Sequence, residues 1–494
     1  MFKINNKLTI PWKVIIGLVY ILLLAPMVFS MYNSVPAADD FAFGSNTISD
    51  NDVVDAWGYS VWNWLYHSGR WLTFFFQKLI NPLNTNAHLG RVYGIWMICV
   101  FAIVFVLIHY SLKIILNRVV DTTKINIELP IMLVFVILFS TYYYVETYNW
   151  YIGATAYAVP FALLMLTMAW LIRYEETSEK KYYYGMIIAG LIPATNEFLD
   201  VPIGLLYIYI ALFVFKKDIK DYKTIVNRLI PLLIFVLGGI SVVVAPGNFA
   251  RQNVYEVTPS LSASVKQILI DMIVRGKDVC INHPLAVITL GLLLMVGVSF
   301  GKKYTIKSIL EVAIVTFLTA FGAVFPYIYG RAMTTTYMDV RMFYVFDYIL
   351  LLGASVFVVL CGSVISNRVK AAIVNGAVVC GIVLVSAVLM LLRGGYRNIA
   401  QVGIISSANL IEYSYDFWNG IILEIEESDE ADVVIYRDEE PTWTPYFLYM
   451  GLVPDYKFAV EKGVVYDKEF IMPNIYYGKD SIEIVYTKGL EENE

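Results

Sequence analysis

Charge is scarce in this chain. Asp, Glu, Lys and Arg make up 16% of its 494 residues, where soluble globular domains carry about a quarter. That deficit excludes a water-soluble enzyme of this size, and the apolar composition excludes a disordered or fibrous protein. The four cysteines (Cys99, Cys280, Cys361 and Cys380) lie in or beside apolar runs, at spacings that suit neither a metal site nor a disulfide framework. The short basic loops hold no glycine-rich phosphate loop and no nucleotide signature, which argues against a primary pump or an enzyme fed by nucleotide sugars. What is abundant is apolar and aromatic: 59% hydrophobic residues, 37 Tyr and 10 Trp, with a mean hydropathy of +0.64. Aromatics at this density suit long interfacial belts. The chain reads as an α-helical polytopic membrane protein.

Crossing ~30 Å of hydrocarbon takes roughly 20 apolar residues. Apolar runs lie near 12–31, 92–112, 128–145, 150–172, 183–196, 198–215, 229–246, 283–300, 309–328, 342–361 and 371–392, predicting about eleven transmembrane helices within residues 1–392. The 183–196 run is short, with Pro193 near its end, and reads as a tilted or broken helix. Lys and Arg gather in alternate loops: Lys3 and Lys7; Lys113, Arg118 and Lys124; Arg173, Lys180 and Lys181; Lys216, Lys217, Lys220 and Lys223; Lys302, Lys303 and Lys307; Arg368 and Lys370. The positive-inside tendency makes these loops cytoplasmic, with the amino terminus inside and segment 393–494 outside. Val35-Pro36-Ala37 resembles a cleavage site, but the apolar stretch before it exceeds a usual signal core, so the first run reads as an uncleaved anchor. Segment 393–494 holds 8 Lys and Arg against 20 Asp and Glu, a net of −12, leaving +7 on the rest. An acidic tail on a basic membrane body argues against a nucleic-acid partner.

The unusual polar residues fall on the expected outer face. The outer loop 32–90 opens with Asp39-Asp40, two adjacent carboxylates at a membrane edge, where desolvation and mutual repulsion raise at least one pKa. Such an acid can act as a general base or hold a cation; the plainer reading is two solvated loop acids. The same loop carries Trp57, Trp62, Trp64, Tyr66 and Trp71 around His67-Ser68-Gly69-Arg70, an interfacial belt in which Arg70 is either a phosphate clamp or a surface cation. Glu146, in Tyr142-Tyr143-Tyr144-Val145-Glu146, lies close to membrane depth. Glu197 and Asp200 occupy the analogous turn of the next hairpin. For each of these acids an ion pair to a neighbouring arginine competes with a substrate role. Pro246-Gly247-Asn248 is a good turn in its own right, and Arg251 beyond it can anchor an anionic head group. Gly330-Arg331 and Asp339-Val340-Arg341 supply two further cations. Arg70, Arg251, Arg331 and Arg341 all contradict the positive-inside tendency and so invite an anionic partner.

The acidic segment predicts a small α+β domain, large enough to fold alone: a helix near 396–430, then short alternating runs such as 432–436 and 481–486, punctuated by Pro441, Pro445, Pro454 and Pro473. Trp443, Tyr446, Phe447 and Tyr449 offer either stacking surfaces for a glycan or its core, and the core is the better reading.

Taken together, the Asp39-Asp40 pair after the first span, the aromatic-rich Ser68-Gly69-Arg70, and Pro246-Gly247-Asn248 with Arg251 resemble the polytopic bacterial glycosyltransferases of the GT-C type. The likeness is greatest to the serotype-converting glucosyltransferases and related surface-polysaccharide families. It implies a polyprenyl-phosphate-linked sugar as donor, a cell-surface glycan as acceptor, and an acid of the first outer loop as base, here Asp39 or Asp40. Glu146, Glu197, Asn248 and the four arginines become candidate substrate-binding residues, the arginines holding the lipid phosphate as it leaves. Guanidinium stabilisation makes a divalent metal unnecessary, and the adjacent acids depart from an Asp-x-Asp spacing; no cofactor is expected. Two alternatives stand: a transporter or flippase of lipid-linked glycans, using Glu146 and Glu197 for ion coupling, and a polysaccharide polymerase or ligase. Against transport, no internal repeat is visible and the acids cluster at the outer edge.

Overall fold

A backbone in lipid must satisfy its own N–H and C=O groups, and the apolar runs of this chain do so as helices. The computed structural model describes residues 9–37, 39–44, 49–85, 90–215, 222–254, 258–331, 340–368, 374–439, 441–448 and 472–487. Lys3, Lys7, Lys216, Lys217, Lys220, Lys370, Asp339, Tyr449 and Pro454 lie outside these residues, as do the side chains of Lys223, Arg331, Arg368 and Cys380.

In chain order the first helices are α1 (Thr9–Tyr32), α2 (Asp39–Gly44), α3 (Asp52–Tyr66), α4 (Trp71–Leu79), α5 (Val92–Val119), α6 (Glu128–Thr141) and α7 (Val145–Tyr148). Next come α8 (Tyr151–Thr177), α9 (Lys180–Ala194), α10 (Asp200–Val214), α11 (Tyr222–Val243) and α12 (Pro246–Val254). The series closes with α13 (Leu261–Asn282), α14 (Pro284–Phe300), α15 (Ile306–Arg331), α16 (Val340–Arg368) and α17 (Val374–Arg393). Among the described residues six helices are long and apolar enough to cross a membrane, or seven if the bent pair α13–α14 counts as one span. The protein is thus a helical membrane protein.

Two elements differ from the sequence expectation. The run 128–145 is helical for 14 residues, about 21 Å, because Tyr142 turns extended (φ −133°, ψ 145°). Its hydroxyl then reaches Asp278, while Tyr143 and Tyr144 donate to Asn149 and Asp347, both at 2.5 Å. Loop 32–90 is itself largely helical. There α3 and α4 pack together, and Lys78 pairs with Asp55 at 3.1 Å with both side chains almost wholly buried.

Contacts gather the loops into two ends. At one end Arg118 pairs with Glu176 at 3.2 Å, Lys302 Nζ reaches the Asn117 carbonyl at 2.5 Å, and Tyr304 donates to the Arg118 carbonyl at 2.9 Å. These are the basic loops after α5, α8 and α14. Asp39, Arg70, Glu146, Glu197, Arg251 and Arg341 meet at the other end.

The acidic segment does not stand apart. Helix α18 (Ala400–Ser406) packs on α1 and α6, and Gln401 Nε2 donates at 3.1 Å to the carbonyls of Leu23 and Phe139. The Phe139 carbonyl is in the last turn of α6, where an external donor is needed. Beyond it α19 (Ala408–Glu427) buries Trp418, Ile421 and Ile425 alongside Val433 and Ile435 of β1 (Asp432–Arg437). This strand pairs in parallel with β2 (Ser481–Tyr486), Asp432 opposite Ser481. Helix α20 (Met472–Tyr477) lies on α2, with the Tyr476 and Tyr477 rings 5.6 and 5.8 Å from Phe41. Of the aromatics in question, Phe447 is buried and Trp443 is exposed, while Tyr446 stacks near Tyr143.

Helix association in lipid relies on close backbone approach at small residues. At the α14–α16 contact, a Cβ on Gly297 would collide with the Val359 carbonyl, and one on Gly362 with the Leu294 carbonyl. We predict that Gly362→Leu destabilises the protein by about 1–3 kcal/mol or more, the cost of overpacking. Gly17→Leu, at a site with no neighbour within 4 Å, should be neutral. Thermal melting in detergent would show it; equal midpoints for the two variants would refute the close-packing account.

Candidate functional site

The site begins with the linker that follows α1. Asn33 ends that helix by bonding back to the Phe29 carbonyl at 2.9 Å, and residues 34–37 carry the chain on toward α2 without regular structure. The segment 142–150 holds this linker from the side: Asn149 Nδ2 donates to the Ser30 carbonyl and Trp150 Nε1 to the Ala37 carbonyl, both at 2.9 Å. It is sunk into the bundle. The Tyr148 ring packs 5.5 Å from Phe101, nine residues (about 13 Å) inside the start of α5. The chain turns back into α8 through Gly153, where a Cβ would strike the Glu146 carbonyl.

The adjacent acids of α2 have different surroundings. Asp40 is fully buried. Its Oδ2 accepts from the Ala37 N–H at 3.0 Å and the Tyr93 hydroxyl at 2.6 Å, and its Oδ1 from the Ile152 N–H at 3.2 Å. Burial pushes its pKa up to about 7, against the pull of those three donors. With both oxygens engaged by protein donors, Asp40 anchors the linker, α5 and α8 to one another. Asp39 is partly buried. Burial raises its pKa above the ordinary carboxylate range, and the charges of Arg341, Arg251 and Arg70 pull part of that shift back. One partly buried carboxylate therefore lies within the fields of three guanidiniums contributed by α16, α12 and the α3–α4 turn.

Each of these arginines is positioned by other groups. Arg341 donates from Nη1 to Glu146 Oε2 at 2.9 Å, its backbone N–H reaches the same oxygen at 3.3 Å, and its guanidinium lies over the Trp150 ring. Arg70 approaches Glu197 at 3.7 Å, too far for a hydrogen bond, and its buried Nε has no hydrogen-bond partner. The Tyr157 hydroxyl also contacts it, from the π-helical turn Ala154–Ala158 of α8. Arg251 Nη1 lies 3.3 Å from His67 Nε2. Glu146 and Glu197 thus make the arginine ion pairs that the sequence allowed. Asn248 accepts from the Gly69 N–H at 3.3 Å and donates to the Val242 carbonyl at 2.7 Å, so its side chain fastens the Gly69-Arg70 turn. Two glycines make that crossing possible: a Cβ on Gly69 would strike the Val242 backbone, and one on Gly247 the backbone of His67 and Ser68. Trp64 and Trp71 secure the same junction by donating to Ser241 at 2.9 and 3.1 Å. The Arg331 side chain lies outside the described set.

Tyr93, Gly153 and Tyr157 take part without any signal in the sequence. Each is an apolar-run residue whose role comes from a partner distant in the chain. Among the described residues no cluster of three or more His, Cys, Asp or Glu side chains is arranged to hold a metal ion. No protein-family model, curated protein or solved structure matches the chain.

The unequal roles of the two acids are testable. Asp40→Ala strands three buried donors and should cost about 1–3 kcal/mol or more, whereas Asp39→Ala should leave the melting midpoint near wild type. A folded-state pKa above the unfolded one means that stability from protonated Asp40 is complete below about pH 4 and lost as pH rises through about 7. The wild-type midpoint should therefore fall between about pH 5 and 8 by more than that of Asp40→Asn. Parallel pH profiles would show that Asp40 does not titrate there.

Proposed function

We propose that the chain is a membrane glycosyltransferase that moves a sugar from a polyprenyl-phosphate donor to a cell-surface glycan on the outer side of the membrane. In this reading the bundle makes about eleven crossings, with the amino terminus cytoplasmic and the acidic segment extracytoplasmic. The observation that carries the proposal is the gathering of Arg341, Arg251 and Arg70 around the partly buried Asp39, with Glu146 and Glu197 paired to two of the three arginines. Glycosyl transfer from a lipid phosphate needs a base and an anion stabiliser side by side, and an acid among arginines supports that reading.

The acceptor hydroxyl oxygen attacks the anomeric carbon as Asp39 takes its proton. The bond from that carbon to the phosphate oxygen breaks, and polyprenyl phosphate leaves with the electron pair. Preorganised guanidiniums meet the developing charge without solvent reorganisation. Arg70, held more loosely by Glu197 than Arg341 is by Glu146, is the cation we assign to the phosphate. Glu146 and Glu197 keep Arg341 and Arg70 aimed, and no divalent metal is invoked. Ion-coupled transport would favour acids near the membrane midplane, whereas Glu146 and Glu197 are paired at one end.

Surface glycan analysis of the host tests this, comparing wild type, a deletion strain, Asp39→Asn and Asp40→Asn. Loss of a general base lowers rate about 10²–10⁴-fold, so the deletion and Asp39→Asn should lose the same side-branch sugar at normal expression with the polymer backbone intact. Arg70→Gln should reduce that branch without changing protein level. An unchanged glycan would overturn the proposal. Disappearance of the whole polymer would do so too, in favour of polymerisation, ligation or lipid transport.

A further inference from the structure

Helix α13 serves none of the roles above, and its sequence fits no span. Its 22 residues carry Lys266, Asp271, Arg275, Lys277 and Asp278, too many charges to cross hydrocarbon. It meets the apolar α14 at a bend of 91°. The break falls at His283-Pro284, where proline opens the next helix and the preceding residue is biased away from helix. α13 thus leaves the axis of α14 nearly at right angles and extends for about 33 Å.

One face of α13 is fastened inward. Ser264, Ile268 and Asp271 are buried on that side. Arg275 makes a two-pronged pair with Asp347 of α16, Nε to Oδ1 at 3.0 Å, between the rings of Tyr142 and Phe343. The opposite face exposes Leu269, Ile270, Ile273, Val274 and Ile281, with Ile273 at 71%. At 100° per residue Lys266 and Lys277 fall within this apolar stripe, three turns or about 16 Å apart. An apolar face this long needs a cover. A second copy docked on the same face would bring like-charged lysines together. Lipid fits instead, because a lysine stem lies along acyl chains while its amine reaches the phosphates.

We propose that the exposed face of α13 is a lipid-docking surface. Its apolar side chains sit among the acyl chains of the leaflet at the Asp39 end, and Lys266 and Lys277 pair with anionic lipid phosphates. The proposal is independent of the transferase reading.

Full-length protein in nanodiscs, with its native cysteines replaced, would carry a nitroxide at Ile273→Cys or, as an exposed control, at Tyr436→Cys. Collision with oxygen, which is lipid-soluble, is compared with collision with a water-soluble nickel chelate. The label at 273 should favour oxygen and the control nickel. A label at 273 that favours nickel would overturn the proposal, and so would one shielded from both reagents, which would mean that another protein chain covers the face. In a second measurement native mass spectrometry compares retention of phosphatidylglycerol over phosphatidylcholine. Each lysine near an anionic surface is worth about fivefold in lipid preference. The Lys266→Glu/Lys277→Glu variant should lose the wild-type preference; an unchanged preference would overturn the pairing with lipid phosphates.

Discussion

The buried carboxylate of Asp40 is the tie on which the recess depends. It collects one donor from the linker after α1, one from the start of α5 and one from the start of α8, so three segments distant in sequence converge on two oxygen atoms. A buried carboxyl is costly unless its lone pairs are occupied, and leaving its donors unmatched is costly as well. The arrangement therefore has a narrow geometric optimum, and α2 inherits it. Asn81 adds a bond to the Asp40 carbonyl at 3.1 Å, and Phe41 is held from the far side by α20. Asp39, one residue earlier, takes its place from these contacts while making few of its own.

Electrostatics explains why the neighbouring arginines come with glutamates. A guanidinium in a partly desolvated recess needs a counter-charge, and Arg70 and Arg341 are at most about a quarter exposed. Glu146 sits on the short helix α7 and Glu197 on the turn between α9 and α10. The two pairs differ in grip. Glu146 binds Arg341 through both side chain and backbone, whereas Glu197 stands 3.7 Å from Arg70 and leaves donor capacity open.

Much of this was legible in the sequence. The helical membrane character was legible, with six or seven helices among the described residues long and apolar enough to cross, and Asp39, Arg70, Glu146, Glu197, Arg251 and Arg341 converge at one end. Hydropathy, however, reports length and charge and says nothing of direction. It could not foresee α13, whose lysines and aspartates dilute every apolar window, nor the end of α6 at Thr141, where three consecutive tyrosines each find a polar partner. Asp39 and Asp40 are chemically identical, so their division of labour is set by Tyr93 and Ile152, which are 53 and 112 residues from Asp40. Nothing in the sequence pointed to the seat of the acidic segment on α1, α2 and α6. That seat rests on single contacts such as Gln401 to two helix carbonyls.

The recess and the surface helix are mechanically joined. Arg275 of α13 grips Asp347, and Asp347 also accepts from Tyr144, two residues before Glu146. Glu146 in turn holds Arg341, six residues (about 9 Å) before Asp347 on the same helix. Segment 144–146 is thus tied twice to α16, once at each end of that interval. Two ties fix both its height along the helix and its rotation about it, where one would leave it free to pivot. Any force that lifts or lowers α13 acts first on Asp347, at one end of this double tie. Arg341, and through it the charge balance at Asp39, lies at the other.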